Sequence, residues 1–194
     1  MQLNRLFFAL WPDAAVEAAA LEAARELRVR MQPGGHLTRP GMLHVTLSFL
    51  GNTVSAEQEA AAQQCAARVR AEPFTLALEQ AGSFRGAKFP WWLGPREAPP
   101  ALLALHHQLH ELLLRARVAP EREKFAPHLT VLRDAAMFLP PTPIRPIEWQ
   151  VREFVLMRSR MDLQPAVYEE LGRWPLIADA AGRAADQLGL WDSA

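Results

Sequence analysis

One short strand phrase is written twice in this chain, and the two copies constrain the fold more than any other feature. His44-Val45-Thr46-Leu47 lies within GMLHVTLSFLG, and His128-Leu129-Thr130-Val131 lies within FAPHLTVLR. Apolar and polar residues alternate with period two in each copy, which is the pattern of a half-buried β-strand. Residues two apart on a strand share a face, so each copy presents one imidazole beside one hydroxyl. Two such strands side by side would flank one small anion with two histidines and hold it with two hydroxyls. That layout suits general acid and general base catalysis at phosphorus.

Chance does not account for the repetition. With six His and six Thr in the chain, about 0.2 His-x-Thr triplets are expected in this composition. Three occur. The third, His36-Leu37-Thr38, sits in PGGHLTRPG between a Gly pair and a Pro-Gly, and its setting predicts a loop. Arg39-Pro40 follow it where the other copies have Leu47-Ser48 and Val131-Leu132. The strand setting, not the triplet alone, singles out His44 and His128.

Twenty-one basic residues balance twenty-one acidic ones, so no broad cationic field exists to grip long nucleic acid. A nucleic-acid substrate would be recognised locally, at an end or a single nucleotide. The single cysteine, Cys65, excludes an internal disulfide framework and a cysteine-based zinc knot. The apolar run LFFALW after Arg5 is cut short by Pro12-Asp13 and falls below the length of a secretion signal. No run approaches a membrane span. A cytoplasmic, monomeric enzyme without membrane attachment is the expectation.

The periodicity predicts a strand over 3–10 and a helix capped by Asp13 running to about Met31. Ser55 with Gln58 forms a capping box for a helix over about 56–71. Strands follow at Phe74 to Leu78 and Phe89 to Leu93, then a Leu-rich helix from Pro99-Pro100 to about Arg117. After the second His strand comes a Pro-rich connector over 140–146, then strands over about 149–158 and 166–174 that form a hairpin. No GxGxxG is present, so a parallel dinucleotide-binding fold is excluded. The expected class is α+β, with antiparallel sheets and helices on the outer faces. The repeated phrase points to two related halves facing each other across a cleft. Residues 1–177 would form the single domain, and 178–194 a C-terminal tail to which no chemistry attaches.

These residues resemble the 2H phosphoesterase superfamily. RLFFAL, LHVTLSFLG, FTLALEQAG, the WLG strand end and PHLTVLRD resemble its bacterial RNA 2′,3′-cyclic phosphodiesterase branch, often named 2′-5′ RNA ligase, from Arg5 to about Leu176. The resemblance implies a bilobal fold with pseudo-twofold symmetry around a central cleft, and no metal or other cofactor. It implies that His44 is the general acid and His128 the general base. Thr46 and Thr130 would bind the non-bridging phosphate oxygens, with Arg133 as a further phosphate contact. Strict alternation, however, puts Arg133 on the face opposite His128 and Thr130, where it would pair with a carboxylate such as Asp134. The implied partners are RNA ends or nucleotides carrying a 2′,3′-cyclic phosphate. The implied reaction is hydrolysis to a 2′-phosphomonoester by cleavage of the 3′ bond.

The chemistry fits the residue types. A neutral imidazole accepts a proton from water, and an imidazolium protonates the departing ribose oxygen, both near neutral pH. Threonine supplies a donor that does not titrate, on a side chain stiffened by β-branching. Phe7, Phe8, Phe49, Trp91 and Trp92 are candidate platforms for a base, although alternation sends one of each adjacent pair to the core. His106 and His110 share a helix face, but no carboxylate at metal-site spacing accompanies them. The competing readings are 2′-5′ RNA ligation, which is the reverse reaction through the same groups, and a non-catalytic module binding RNA ends or nucleotides. Such a module would not need both histidines.

Overall fold

A computed structural model of the chain describes residues 4–86, 88–118, 125–160, 163 and 167–177. In chain order these hold β1 (Arg5–Leu10), α1 (Ala14–Met31), β2 (His36–Leu37), β3 (Val45–Gly51), α2 (Ala56–Ala67), β4 (Phe74–Ser83), β5 (Phe89–Gly94), α3 (Pro100–Arg115), β6 (Leu129–Ala135), β7 (Thr142–Val151), β8 (Glu153–Arg160) and β9 (Val167–Pro175). The α+β class with antiparallel pairing is therefore as expected. The predicted tail falls outside the described residues.

The strands form one sheet in the order β7-β4-β5-β6-β3-β1-β8-β9, with β2 added to β6. Its centre is its weakest seam. β3 and β6 share a single registered pair, Val45 with Leu129, so two four-stranded halves meet there and diverge. Counting outward from the seam, β3 corresponds to β6 and β1 to β5. Helix α1 lies between β1 and β3 in the chain, and α3 lies between β5 and β6, so the two halves repeat one connection around a pseudo-twofold axis.

The sequence explains the helices locally. The Asp13 carboxylate accepts from the Val16 N–H at 2.9 Å, satisfying one orphan donor of the first turn. Ser55 and Gln58 exchange reciprocal hydrogen bonds at 3.2 and 3.0 Å, the predicted capping box, although α2 ends at Ala67 rather than near 71. Along α3, Leu102, Leu105, Leu109 and Leu113 are all fully buried. They meet Leu6, Phe8 and Leu10 of β1 and the apolar stripe of α1 in one core. Each leucine contributes about 1.5–3 kcal/mol by burial. The opposite face of the β1–β8 half carries a smaller cluster of Phe7, Ala9, Val155 and Met157, bordered by Trp11, Phe49 and Tyr168. That is the face of the cleft.

Three local expectations are corrected. His36-Leu37 is not simple loop: it is a short strand pairing with Arg133 and Leu132 of β6, on the edge of β6 that β3 leaves open. Gly35 permits this docking. It has φ +66°, and a Cβ there would collide with the Arg133 carbonyl oxygen. The Pro-rich 140–146 segment is largely strand, because β7 is an edge strand and its pairing with β4 is irregular between Pro143 and Ile147. Prolines are tolerated at such positions because no second neighbour needs their missing N–H. The single strand expected over 149–158 is the end of β7 and most of β8, separated at Arg152. The expected terminal hairpin is present as β8–β9.

Candidate active site

The two His-x-Thr phrases come together at the seam. Continuing the antiparallel register of Val45 with Leu129 sets His44 opposite Thr130 and Thr46 opposite His128. Val45 and Leu129 turn into the core. The four polar residues turn the other way and line one pocket of about 400 Å³ with Arg5, Phe7, Met42, Phe49, Arg133 and Tyr168. All five residues singled out in the sequence therefore share one cavity.

The two histidines are held alike. Nδ1 of His44 lies 3.0 Å from the Met42 carbonyl oxygen, and Nδ1 of His128 lies 2.7 Å from that of Ala126. A carbonyl only accepts, so Nδ1 carries the proton in both rings and donates it two residues back. The neutral rings therefore keep their lone pairs on Nε2.

Arg133 reaches the pocket through a bulge. Trp92 of β5 pairs with Thr130 and Trp91 with Leu132, leaving Val131 as an extra residue. Val131 and Leu132 are both buried, and alternation resumes one step out of phase. Arg133 then falls on the face of Thr130. The same device occurs in β3, where Phe8 pairs with Ser48 and Ala9 with Thr46, leaving Leu47 extra. It brings Phe49 into the pocket at the place corresponding to Arg133. The carboxylate of Asp134 pairs with His36 at 3.5 Å and Lys88 at 3.3 Å, so it does not neutralise Arg133.

The surroundings of the two imidazoles differ. His44 stacks flat against Trp11, with centroids 5.4 Å apart and planes at 4°. It also meets Phe7 at 4.9 Å and the edge of Tyr168 at 5.4 Å. His128 touches Phe84 edge-on at 4.7 Å. Burial pushes the His44 pKa down to about 4, against the opposing effect of the Met42 hydrogen bond and with help from the positive field of Arg133. Burial also lowers the His128 pKa, again assisted by Arg133. At neutral pH both rings of the free site are neutral, and the pocket's fixed cationic groups are Arg5 and Arg133.

Sequence reading missed Arg5, Met42 and Tyr168. Arg5 pairs with Ser159 of β8 and Ser159 with Tyr168 of β9, so one rung brings Arg5 and Tyr168 together across three strands. No local motif marks such a rung, and only the strand order reveals it. The guanidinium of Arg5 also lies 5.0 Å over the Phe49 ring. Of the aromatic candidates, Phe8 and Trp91 are core, Phe7 and Phe49 line the pocket, and Trp92 walls a neighbouring one. The α3 histidines lie apart from this site: His106 stacks on Phe125 at 4.0 Å and on His110 at 6.0 Å.

Residues 12–163 match the 2′-5′ RNA ligase superfamily. The chain belongs to that family. It is 39% identical to the RNA 2′,3′-cyclic phosphodiesterase of Escherichia coli over 69% of this chain and 76% of that one. It is 32% identical to the Thermus thermophilus enzyme of the same name over 95% of this chain and 96% of that one. Among solved structures, E. coli LigT complexed with 3′-AMP matches with a TM-score of 0.73 and 33% identity, covering 92% of this chain and all of that one. The T. thermophilus protein TT0787 matches with a TM-score of 0.75 and 29% identity, covering 90% and 99%. As a member of this family, the chain carries its two histidine phrases on the two strands that meet at the seam. Among the described residues no helix is long and apolar enough to cross a membrane.

Proposed function

We propose that the chain hydrolyses 2′,3′-cyclic phosphate ends of RNA or nucleotides to 2′-phosphomonoesters, using His44 as acid and His128 as base. The observation that carries this is the matched pair of imidazoles across the seam. Each is fixed through Nδ1 with Nε2 free, and each is opposite the other's threonine. A phosphodiester between them has a hydroxyl and an imidazole on either side, as in-line displacement requires. Relatives bearing the cyclic phosphodiesterase name supply the substrate class.

In this reading Nε2 of neutral His128 takes the proton of a water attacking phosphorus. The bond from phosphorus to O3′ breaks on the opposite side, and His44 gives its proton to the departing oxygen. Thr46 and Thr130 donate to the non-bridging oxygens, and Arg133 adds a charge-assisted contact as negative charge develops. The free site disfavours an imidazolium, but the anionic diester offsets this by pairing with it.

The test is to incubate the purified protein with a 2′,3′-cyclic mononucleotide in excess chelator and separate the products. A 2′-phosphate is expected. A 3′-phosphate would exchange the two histidine roles, and no hydrolysis would overturn the reading.

A further inference from the structure

A second pocket opens beside His128, on the side away from His44. It encloses about 190 Å³, and its walls include Phe84, Trp92, Pro95, Ala98 and Pro127, with Arg96 at the rim. His128 lines both this pocket and the central one, so the two adjoin at that residue. We propose that this side pocket takes the base of the penultimate nucleotide of an RNA end whose terminal cyclic phosphate lies between His44 and His128. The proposal rests on the cyclic phosphodiesterase reading and narrows its substrate from nucleotides to oligonucleotide ends.

The walls are those of a base-stacking site. Phe84 and Trp92 lie 5.8 Å apart at 37°, and Phe84 is 37% exposed, an aromatic face left open at a pocket mouth. Trp92 is held there at a cost. Its indole crosses Gly82, where an added Cβ would meet the ring at 2.6 Å, and it lies 3.5 Å from the corresponding point at Gly94. Its Nε1–H is enclosed without a partner, the one such buried polar side-chain atom among the described residues. The adjacent Trp91 shows the ordinary arrangement, buried with Nε1 donating to the Met137 carbonyl at 2.9 Å. A stacked ligand would leave that in-plane N–H unsatisfied; the support for a platform is the flat indole face that walls the cavity beside Phe84. Aromatic faces accept any base by stacking, without reading its edge.

Size and charge favour the penultimate base over the terminal one. The central pocket is twice as large and has its own aromatic surfaces in Phe7 and Phe49 for the terminal nucleoside. The smaller pocket suits a ring system without its sugar and phosphate. Arg96 also lines it; its backbone N–H donates to the Glu79 carboxylate at 3.3 Å, while its exposed guanidinium lies 3.9 Å from that group, within reach of a backbone phosphate.

The test compares a 2′,3′-cyclic mononucleotide with a dinucleotide ending in the same cyclic phosphate. The wild type should show a KM about tenfold lower for the dinucleotide, within the range one stacked base supplies. Ala98→Phe, which fills the side pocket, should abolish that advantage while leaving mononucleotide turnover within about twofold. Phe84→Leu is the second variant and keeps the test decisive if Ala98→Phe does not fold. Its readout is the ratio of the two KM values, since a disturbance of His128 affects both substrates alike. No dinucleotide preference in the wild type, a preference surviving both variants, or equal KM losses on both substrates would overturn the proposal. Failure of the wild type to hydrolyse either substrate would instead overturn the functional reading beneath it.

Discussion

The Thr38 hydroxyl donates to the Thr130 carbonyl oxygen at 2.8 Å, and the Thr38 N–H donates to that of Val131 at 2.8 Å. The one copy of the His-x-Thr phrase that lies outside the pocket thus braces a copy that lines it. Val131 is the extra residue of the bulge that redirects Arg133, so Thr38 holds the backbone where the phase changes. Thr38→Val keeps the shape but removes the hydroxyl bond, and should destabilise the fold by about 0.5–1.5 kcal/mol. Its kcat/KM should fall several-fold, more than a loss of the same stability elsewhere would produce. Chemical denaturation and initial rates on a cyclic nucleotide check both parts. Unchanged activity at reduced stability would make the contact purely structural.

His44→Ala and His128→Ala should each lower kcat by at least about 10²-fold, the usual scale for removing a general acid or base. His36→Ala should stay within a few-fold, since its imidazole pairs with Asp134 at the surface. The double variant His44→Ala/His128→Ala should lose far less than the product of the single losses, because the two groups act in one step. Single-turnover rates decide it, and equal losses in all three single variants would contradict the assignment.

What the sequence disclosed and what it concealed follow from the range of each interaction. The Asp13 cap, the Ser55–Gln58 box and the α3 leucine stripe are written within four residues, and all appear as read. The two histidine strands were equally legible, because period two places His and Thr on one face without reference to anything distant. Arg133 was not: alternation assigned it to the wrong face, and the bulge at Val131 exists only in relation to β5. Arg5 and Tyr168 were invisible for the same reason, being joined by a rung across β1, β8 and β9. The short β2 strand was hidden by its own turn residues, since Gly35 reads as a loop until its close approach to β6 is known.

The pH dependence should separate the free and bound sites. Catalysis needs one proton shared by the pair, and both imidazole pKa values are lowered in the free protein, that of His44 to about 4. The bell for kcat/KM should therefore peak below pH 6.5, with limbs that belong to the coupled pair rather than to single residues. The bound anionic phosphate raises both values, so the bell for kcat should lie at higher pH. Stability carries the same sign. A histidine whose folded pKa is depressed contributes fully above the unfolded value near 6.5, and that contribution is lost as pH falls from 6.5 toward 4. His44→Ala should show a smaller drop in Tm across that window than the wild type. Coincident kcat and kcat/KM profiles would show that substrate does not perturb the pair.

Arg133 offers the sharpest test of how the bulge serves the site. Its partner of convenience, Asp134, is engaged by His36 and Lys88, and its charge lies close enough to lower both histidine pKa values. Removing it should act in two opposing ways. Arg133→Ala forfeits a charge-assisted contact to the phosphate worth about 1.5–3 kcal/mol, so kcat/KM at the optimum should fall about 10- to 100-fold. It also removes a cation beside two imidazoles, so both limbs of the kcat/KM bell should move to higher pH. Arg133→Lys should restore the position of the limbs, because it keeps the charge, while recovering only part of the rate, because an ammonium lacks the planar fork. Full pH profiles of the two variants beside the wild type check both effects together. A rate loss without any movement of the limbs would place Arg133 away from the histidines in solution, and limb movement without a rate loss would remove it from phosphate binding.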